Sequence, residues 1–299
     1  MRVDPNFVTN LSSSLDQSQS VEANLTSQLS SGLRVTTLAD DPGAAAQASM
    51  IDSEIAQDDQ YVQTASNESS MLQVTDSALG EVVTQLTSAV TLAVQGSNGT
   101  LDAANLSAIA QQLTGIRDQL LSLANTSYQG NYLFAGSQGS AQPFTLDTST
   151  SPATVNYAGD TNVQYVTTPT GQKLQVNLPG SSIFGTGTTG VLGALNQLIA
   201  DFSGGTAGST SAADSAALTT AIGQVSQQRS VLDTSLSRLQ ATSTYVQTEE
   251  TELKAQQSNL VASDTASVAT QLKSAEVQNE ALMNVISALE KNNLFDYIQ

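Results

Sequence analysis

Three short groups of residues in this chain of 299 have types and spacing that could support chemistry. Gly185 to Gly190 follow the pattern G-x-G-x-x-G, with which backbone amides can hold the phosphates of a dinucleotide. Asp40-Asp41 and Asp58-Asp59 are acidic pairs that could bind a cation or exchange protons. The sequence contains no histidine and no cysteine. That absence excludes Ser-His and Cys-His nucleophile pairs, thiol redox chemistry and metal sites built on those side chains.

The glycine pattern lacks the surroundings that a dinucleotide site needs. That fingerprint follows a strand, opens a helix within a βαβ unit, and is completed by an acid about 20 residues further on. Here the strand before Gly185 is short, no second parallel strand is predicted, and the nearest acid, Asp201, comes too early. Since every residue between the glycines is Thr, the segment is typical of a flexible linker. A nucleotide-binding module at Gly185–Gly190 is kept as a remote alternative.

The acidic pairs have simpler structural explanations. Adjacent residues on a helix do not face each other, so Asp58 and Asp59 are expected on a solvated edge. Asp40-Asp41-Pro42 is typical of a helix start, because a carboxylate can accept the free amides of the first turn and proline suits the first helical position. We therefore predict a helix-start cap at Asp40, Asp41 and Pro42, with no catalytic residue, no cofactor and no metal site. The chain is predicted not to be an enzyme.

The composition favours narrow helix–helix seams over a wide globular core. Only 4% of the residues are aromatic, and tryptophan is absent. The 27 acidic and 9 basic residues give a formal charge of −18, which argues against nucleic acid and anionic membranes as partners. Residues 1–5 lead into no apolar segment, and no apolar run approaches the ~20 residues of a membrane span. Neither a Sec-type signal peptide nor a membrane helix is predicted.

Proline and aromatic residues mark a different kind of structure in the middle of the chain. Four of the six prolines and seven of the thirteen aromatic residues lie between 128 and 184. Because proline breaks helix interiors, long helices are expected on either side of this stretch. Apolar and polar residues alternate over 163–167 and over 174–178, with a Pro-Thr-Gly turn between them, which predicts a β-hairpin. Val155 and Tyr157 indicate a further strand.

The two ends of the chain show heptad spacing, in which apolar residues recur at steps of three and four. Residues 46–128 and 215–254 have similar spacing and are expected to form ordinary bundle core, with a turn at Asn98-Gly99. At Leu260-Val261 the apolar pattern slips by one residue, so the two parts of that arm should face different neighbours. Polar residues interrupt the seams of the extreme ends, and such helices gain stability by docking. The predicted assembly interface comprises Val8, Leu11, Leu15, Leu25, Leu29, Val268, Leu272, Ala275, Leu282, Ile286 and Leu289.

The predicted fold class is mainly α: an elongated coiled-coil and helical-bundle rod from the N- and C-terminal segments, with a small inserted β-rich domain. Its predicted divisions are an N-terminal coiled-coil assembly segment (1–45), the N-terminal part of a helical rod (46–130), an inserted β-rich variable domain (131–190), the C-terminal part of the rod (191–254) and a C-terminal coiled-coil assembly segment (255–299).

A short combination of motifs stands at the end of the N-terminal arm. Leu29 to Val35 read LSSGLRV, and Asp40-Asp41-Pro42 with the alanine-rich run Ala44 to Ala46 follow. This combination resembles the N-terminal signature of the flagellin family of bacterial flagellar proteins. The resemblance implies a flagellin-like fold, with the coiled-coil layer built from both termini.

Two further motifs narrow the resemblance. Gly130 to Gly136 read GNYLFAG, and Pro143-Phe144 follow. The ending Asn292 to Ile298 reads NNLFDYI, in which Asn293 stands where Ser is usual. Both motifs are similar to those of the family members that lie between hook and filament. Residues of about 145–215 carry no motif, so the resemblance covers both termini and the start of the insert.

The resemblance implies a structural protein of the bacterial flagellum that joins the hook to the flagellin filament, with a filament subunit as the alternative. It also implies export through the flagellum's own type III channel without a cleaved signal, and an extracellular location. The resemblance implies four kinds of partner. They are further copies of the chain in an axial layer, the hook-associated protein that lies on the hook side of the junction, flagellin and a flagellar export chaperone. A surface adhesin is a further alternative, for which nothing in residues 145–215 identifies a ligand.

Overall fold

The computed structural model describes residues 5–205, 207 and 211–291. The chain divides into two compact units, here called the terminal unit (Met1–Gln57 with Thr248–Gln299) and the central unit (Asp58–Gln247). The divisions predicted from the sequence, at 45/46 and 254/255, differ from these bounds by 12 residues (57 − 45) and 7 residues (254 − 247) and stay predictions. Two long helices contribute residues to both units, and each unit is described by itself.

The described residues form seven helices and six short strands, which confirms the predicted fold class of a mainly α chain with a small β-containing middle region. The helices are α1 (Pro5–Ser31), α2 (Pro42–Gly96), α3 (Ala103–Ala124), α4 (Ser181–Phe184), α5 (Gly190–Ser203), α6 (Ser211–Val261) and α7 (Thr265–Lys291). The strands are β1 (Ser127–Tyr128), β2 (Asn131–Tyr132), β3 (Phe144–Asp147), β4 (Thr154–Tyr157), β5 (Tyr165–Thr167) and β6 (Lys173–Gln175).

In the terminal unit, α1 and α7 pack against each other in antiparallel directions. The Asn279 amide in α7 donates a hydrogen bond to the Glu22 carboxylate in α1. Leu33, just after α1, forms an antiparallel bridge with Ala262, just before α7. A later residue of α1 is thus paired with an earlier residue of the C-terminal arm, so the two helices run in opposite directions.

The C-terminal arm is interrupted where the apolar pattern slips. α6 ends at Val261 and α7 begins at Thr265, so no continuous helix carries the slip. Asp264 starts the new helix, because its carboxylate accepts hydrogen bonds from the amides of Ala266 (3.1 Å) and Ser267 (3.2 Å). A break of this kind frees the apolar stripe of α7 from the fixed rotation of 100° per residue that a helix imposes.

The central unit has one apolar core, to which α2, α3, α5, α6 and the strands contribute. α2 and α6 run antiparallel, since residues 62–73 share a groove with residues 240–247 while Asp76 pairs with Arg229. Each helix presents a heptad stripe to the core, as expected for an ordinary bundle. The stripes consist of Leu72, Leu79 and Leu86 on α2 and of Leu232, Leu239 and Val246 on α6, all at most 1% exposed.

One stretch of α2 is long and apolar enough to cross a membrane by length and composition alone, and no other helix in the described ranges is. The sequence expectation that no run approaches such a span was therefore wrong for α2. A third of that stretch is buried inside the structure, and a helix that supplies part of a bundle core can have the same composition.

The strands form three separate antiparallel pairs, β1–β2, β3–β4 and β5–β6. The hairpin predicted over 163–178 is confirmed as β5–β6, with Val166 opposite Leu174. The strand indicated by Val155 and Tyr157 is confirmed as β4, which pairs with β3. A turn over residues 97–102 joins α2 to α3, and Asp102 caps α3 by accepting from the Asn105 amide at 2.8 Å.

The Gly185–Gly190 segment connects α4 to α5 and follows no strand. Gly187 forms an antiparallel bridge with Val155 of β4, and all strand pairs in the described part of the chain are antiparallel. The βαβ unit on which a dinucleotide site depends is therefore absent from these residues. Gly185 and Gly190 have φ values of 78° and 75°, in the left-handed region that favours glycine, so a tight loop explains the pattern.

Candidate functional site

The seam between α1 and α7 gathers the predicted interface residues of both chain ends. Leu25, Val268 and Ala275 are buried together, and Leu272 packs against them. Along the rest of the seam the predicted residues Leu11, Leu15, Leu282 and Ile286 are half-buried, and Leu29 is exposed. The side chains of Val8 and Leu289 lie outside the described residues. The predicted residues of one end thus face those of the other end within one chain.

Polar groups occupy part of this seam. Ser18 is buried at a position between Leu15 and Leu25, and Glu22 is half-buried where it accepts from Asn279. A polar residue at a seam position fixes the register of a helix pair at some cost in stability. The α1–α7 pair is therefore specified by polar contacts but held by a thin apolar core.

The outer faces of α1 and α7 carry large apolar side chains. Val21 on α1 and Val277, Met283 and Val285 on α7 are each between 46% and 56% exposed. By contrast α3, which is five residues shorter than α1, buries six of its residues. A helix pair with so little apolar burial gains stability when another protein covers its exposed apolar side chains.

A short loop joins α1 to α2 and is held by one arginine. Gly32, with φ 70°, ends α1, and its amide donates to the carbonyl of Gln28 at 2.9 Å. The guanidinium of Arg34 donates to the Leu260 carbonyl and to the Asp41 carboxylate, each at 3.0 Å. The end of α6 lacks intrahelical partners for its last carbonyls, so Arg34 satisfies one of them.

The two adjacent acids at the start of α2 have different roles. Asp41 caps α2, since its Oδ1 accepts from the Ala44 amide at 3.1 Å and Pro42 is the first residue of the helix. Asp40 turns back to the loop and accepts from the amides of Thr37 (2.8 Å) and Thr36 (3.0 Å). The Thr37 amide is the main reason that the pKa of Asp40 is lowered. The Ala44 amide, followed by Arg34, lowers the pKa of Asp41.

Residues 133–136 of the GNYLFAG segment and Pro143-Phe144 are buried in the core of the insert, whereas Gly130 and Asn131 are exposed. Phe134, Phe144 and Phe184 are fully buried, and Phe184 meets the other two rings edge-on at centroid distances of 5.3 and 5.4 Å. Asn125, at the end of α3, accepts from the Phe144 amide and donates to the Phe144 carbonyl, both at 2.9 Å. These contacts attach the insert to α3, so this motif shapes the insert and does not form an open site.

Hydrogen bonds around Asp160 hold the end of the GNYLFAG segment in place. The Asp160 carboxylate accepts from the Ser137 hydroxyl, from the Ser137 amide at 2.8 Å and from the Asn162 amide at 3.0 Å. The hydrogen bonds from Ser137 are the chief reason that the pKa of Asp160 is lowered to about 2. The Tyr157 hydroxyl shares its single proton between the carbonyls of Asp160 (2.8 Å) and Phe134 (3.0 Å). The GNYLFAG segment is thereby fixed from two sides.

Two family models match the chain. The model described as the bacterial flagellin N-terminal helical region matches residues 6–139, and that of the bacterial flagellin C-terminal helical region matches residues 216–298. Together these segments make up well over half of the chain and include every candidate residue named above for α1, α7 and the cap of α2. The chain belongs to the flagellin family.

Relatives within this family carry more specific names. The chain is 38% identical over 133 residues to flagellar hook-associated protein 3 of Salmonella typhimurium, which is 44% of this chain and 42% of the relative. It is 38% identical over 118 residues to the protein of the same name from Escherichia coli, covering 39% of this chain and 37% of that one. The chain thus spans about two fifths of the length of the curated relatives it matches.

A solved structure supports the fold of this flagellin-family chain. A flagellar hook-associated protein from Vibrio parahaemolyticus superposes with a TM-score of 0.64 at 21% identity, covering 75% of this chain and 100% of that chain. At this identity the likeness concerns the arrangement of the helices and strands.

Several residues that organise the flagellin-family chain were not identified from its sequence. Asn125 and Asp160 carry the contacts that hold the insert, and Arg34 was noted only as part of a signature. The role of Asn125 had a signal in the local sequence, since it directly follows the last apolar residues of α3. An asparagine amide at such a helix end can both accept and donate hydrogen bonds. Asp160 had no such signal, because its main partner, Ser137, is 23 residues away.

Proposed function

We propose that this flagellin-family chain is a structural, non-enzymatic component of the bacterial flagellum at the junction between hook and filament. The observation that carries the proposal is the 38% identity over 133 residues to a relative named flagellar hook-associated protein 3. The GNYLFAG motif and the NNLFDYI ending favour the junction over a filament subunit. The ending lies outside the described residues, so it supports the proposal by its sequence alone.

The terminal helices supply the assembly surface in this proposal. α1 and α7 bury few apolar residues against each other and leave Val21, Val277 and Met283 exposed on their outer faces. A second copy of the chain, the other hook-associated protein or flagellin can cover these faces and add the apolar burial that the pair lacks. Residues 1–45 and 255–299 act as assembly segments, and the central unit forms the stable body.

A thin terminal seam also suits export in an unfolded state. We infer passage through the flagellum's own channel without a cleaved signal, and an export chaperone that binds the terminal helices before assembly. Little folding free energy has to be overcome at the ends, since the described part of the seam has only three buried apolar side chains, Leu25, Val268 and Ala275. The mature location is then outside the cell, in the flagellum.

Immunogold electron microscopy of flagella tests this function. Antibody against the insert (131–190) should label one narrow band at the distal end of the hook, and cells lacking the chain should lose both the band and the filament. Label along the whole filament would instead make the chain a filament subunit. Binding of a dinucleotide in calorimetry, removed by replacing Gly185, would support the remote alternative and contradict a purely structural role.

A further inference from the structure

The basic residues of this chain are few, and the structure accounts for nearly all of them. The chain has nine, against 27 acids. Five form ion pairs with a carboxylate of the same chain: Arg34, Arg117, Arg229, Lys254 and Lys273. Arg2 and the side chain of Lys291 lie outside the described residues. Among the described side chains, only Lys173 and Arg238 are basic and form no ion pair.

Lys173 and Arg238 line the same groove of the central unit, although they are 65 positions apart in sequence. The groove lies between β6 and α6 and has a volume of about 280 Å³. Lys173 and Arg238 are both exposed, one on each wall. Leu174 and Ser235 are buried at the base, and Val231 is 40% exposed. We call this feature the cationic groove.

The placement of these two charges differs from that of the other basic residues. Arg229, nine residues before Arg238 on the same helix, makes a bidentate pair with Asp76 and is also close to Asp233. Lys173 and Arg238 are the only charged residues that line this groove, and both are positive in a chain of net charge −18. Guanidinium and ammonium groups beside apolar side chains suit the recognition of carboxylates on a protein surface.

We propose that the cationic groove docks an acidic surface of a second copy of this chain. Every copy carries a threefold excess of acids over bases, so a neighbouring copy offers carboxylates on most of its surface. One such group lies in the terminal unit, where Asp52 and Glu54 on α2 and Glu249 and Glu252 on α6 are accompanied by a single base, Lys254, which already pairs with Glu250. This inference rests on the proposed self-association and names a surface for it outside the terminal helices.

Zero-length crosslinking tests the proposal directly. A carbodiimide joins a lysine amine to a carboxylate only where the two are in contact, and it is applied to the full chain as a mixture of unlabelled and ¹⁵N-labelled copies. We expect peptides that contain Lys173 from one isotope and an Asp or Glu from the other. The Lys254–Glu250 pair, which lies within one copy, serves as the internal positive control for the reagent.

Two outcomes of the crosslinking would overturn the proposal. One is the absence of any mixed-isotope peptide with Lys173 while the Lys254–Glu250 product forms. The other is Lys173 joined to carboxylates of its own copy alone. Mixed-isotope products from any carboxylate of a second copy support it, and capture of a different flagellar protein by Lys173 in isolated flagella, without such products, counts against it.

Sedimentation of variants gives an independent measure. Replacing both Lys173 and Arg238 by Gln should weaken self-association about fivefold, because each exposed charge pair contributes modestly. The control Lys254→Gln removes one positive charge from α6 outside the groove, within the acidic group named above, and should not weaken self-association. Raising the salt from about 0.1 M to about 1 M shortens the screening length from about 10 Å to about 3 Å. The double variant and the wild type should then self-associate equally. Equal self-association of the double variant and the wild type, or none in the wild type at its highest soluble concentration, would overturn the proposal.

Failure of this inference is distinguishable from failure of the proposed function. If immunogold still places the chain at the end of the hook but Lys173 forms no product between copies, only the role of the cationic groove is wrong. If the chain lies elsewhere in the cell, the proposed function fails whatever the crosslinks show.

Discussion

Replacing Leu282 by Asp separates the role of the terminal helices from that of the central unit. Leu282 is a half-buried residue of the α1–α7 seam, and the central unit has its own apolar core. If the terminal helices serve assembly, a charge at this position should prevent incorporation into flagella. The main thermal transition of the isolated chain should stay nearly unchanged.

The magnitude follows from how little the seam buries. Leu25, Val268 and Ala275 are its buried apolar side chains, worth together about 5 kcal/mol at the usual gain for burying such groups. Loss of the half-buried Leu282 side chain costs about 1 kcal/mol. Desolvation of the new carboxylate adds about 1–3 kcal/mol. When the half-buried Leu11, Leu15, Leu272, Leu282 and Ile286 are also counted at about 1 kcal/mol each, the described seam supplies about 10 kcal/mol. The substitution removes about 2–4 kcal/mol of this, so the pairing of the two helices should be strongly weakened.

The assay has two parts and a matched control. Calorimetry of the purified chain gives the main melting temperature, and motility with immunogold labelling of cells gives assembly. Leu72→Asp introduces the same side chain at a site in the central unit that is 1% exposed. It should lower the melting temperature by about 10 °C or abolish folding, since about 1 kcal/mol shifts a unit of this size by 2–4 °C.

A large effect of Leu282→Asp on the main transition would refute this reasoning. A fall of more than about 4 °C, equivalent to at least 1 kcal/mol, would mean that the α1–α7 seam melts together with the central unit. Normal incorporation of the variant into flagella would contradict the assembly role of the seam. Either result would leave the exposed outer faces of α1 and α7 without the function proposed for them.

Three further outcomes are expected. The pKa of Asp160 is about 2 in the folded chain, below its usual 3.8, so its carboxylate stabilises the insert above pH ~4 and this is lost as pH falls towards 2. Ser137→Ala should move the loss to higher pH in near-ultraviolet circular dichroism of the tyrosines, and an unchanged midpoint would contradict this. Gly180→Ala brings a methyl group to 2.6 Å from the Phe144 ring and should cost about 1–3 kcal/mol in urea unfolding. The control Gly115→Ala, at an open position inside α3, should instead stabilise by about 0.5–1 kcal/mol. Limited proteolysis of the monomer should remove residues 1–45 and 255–299 before it cuts the central unit, and equal resistance would argue against assembly-coupled ordering.

The helices and their apolar faces followed from local sequence. The heptad positions Leu72, Leu79 and Leu86 predict one buried stripe, since a helix turns 100° per residue whatever surrounds it. The hairpin β5–β6 could also be predicted from local sequence, because alternating apolar and polar residues and a proline–glycine turn determine which residues pair. Asp41 and Pro42 had the chemistry of a helix start before any neighbour was known.

What covers each face was decided by tertiary structure. Heptad spacing shows that Leu25 and Val268 each need a partner, but it does not show that they meet within one chain, 243 positions apart. The slip at Leu260-Val261 predicted that the apolar stripe changes direction there. It did not predict that the helix ends at this point or that Asp264 caps a new one. Periodicity is a property of one segment, and pairing depends on which surfaces of other segments remain unburied.

The same distinction holds for the charged and polar residues. Nothing in the sequence separates Asp160 from other loop acids, because its low pKa depends on Ser137, which the fold brings beside it. Lys173 and Arg238 are ordinary surface bases until β6 and α6 place them on one groove. The sequence by itself determined the helices, the family motifs and the charge of the whole chain. The fold decided which charges lack a partner, since Coulomb interactions depend on distance in space and not on separation along the chain.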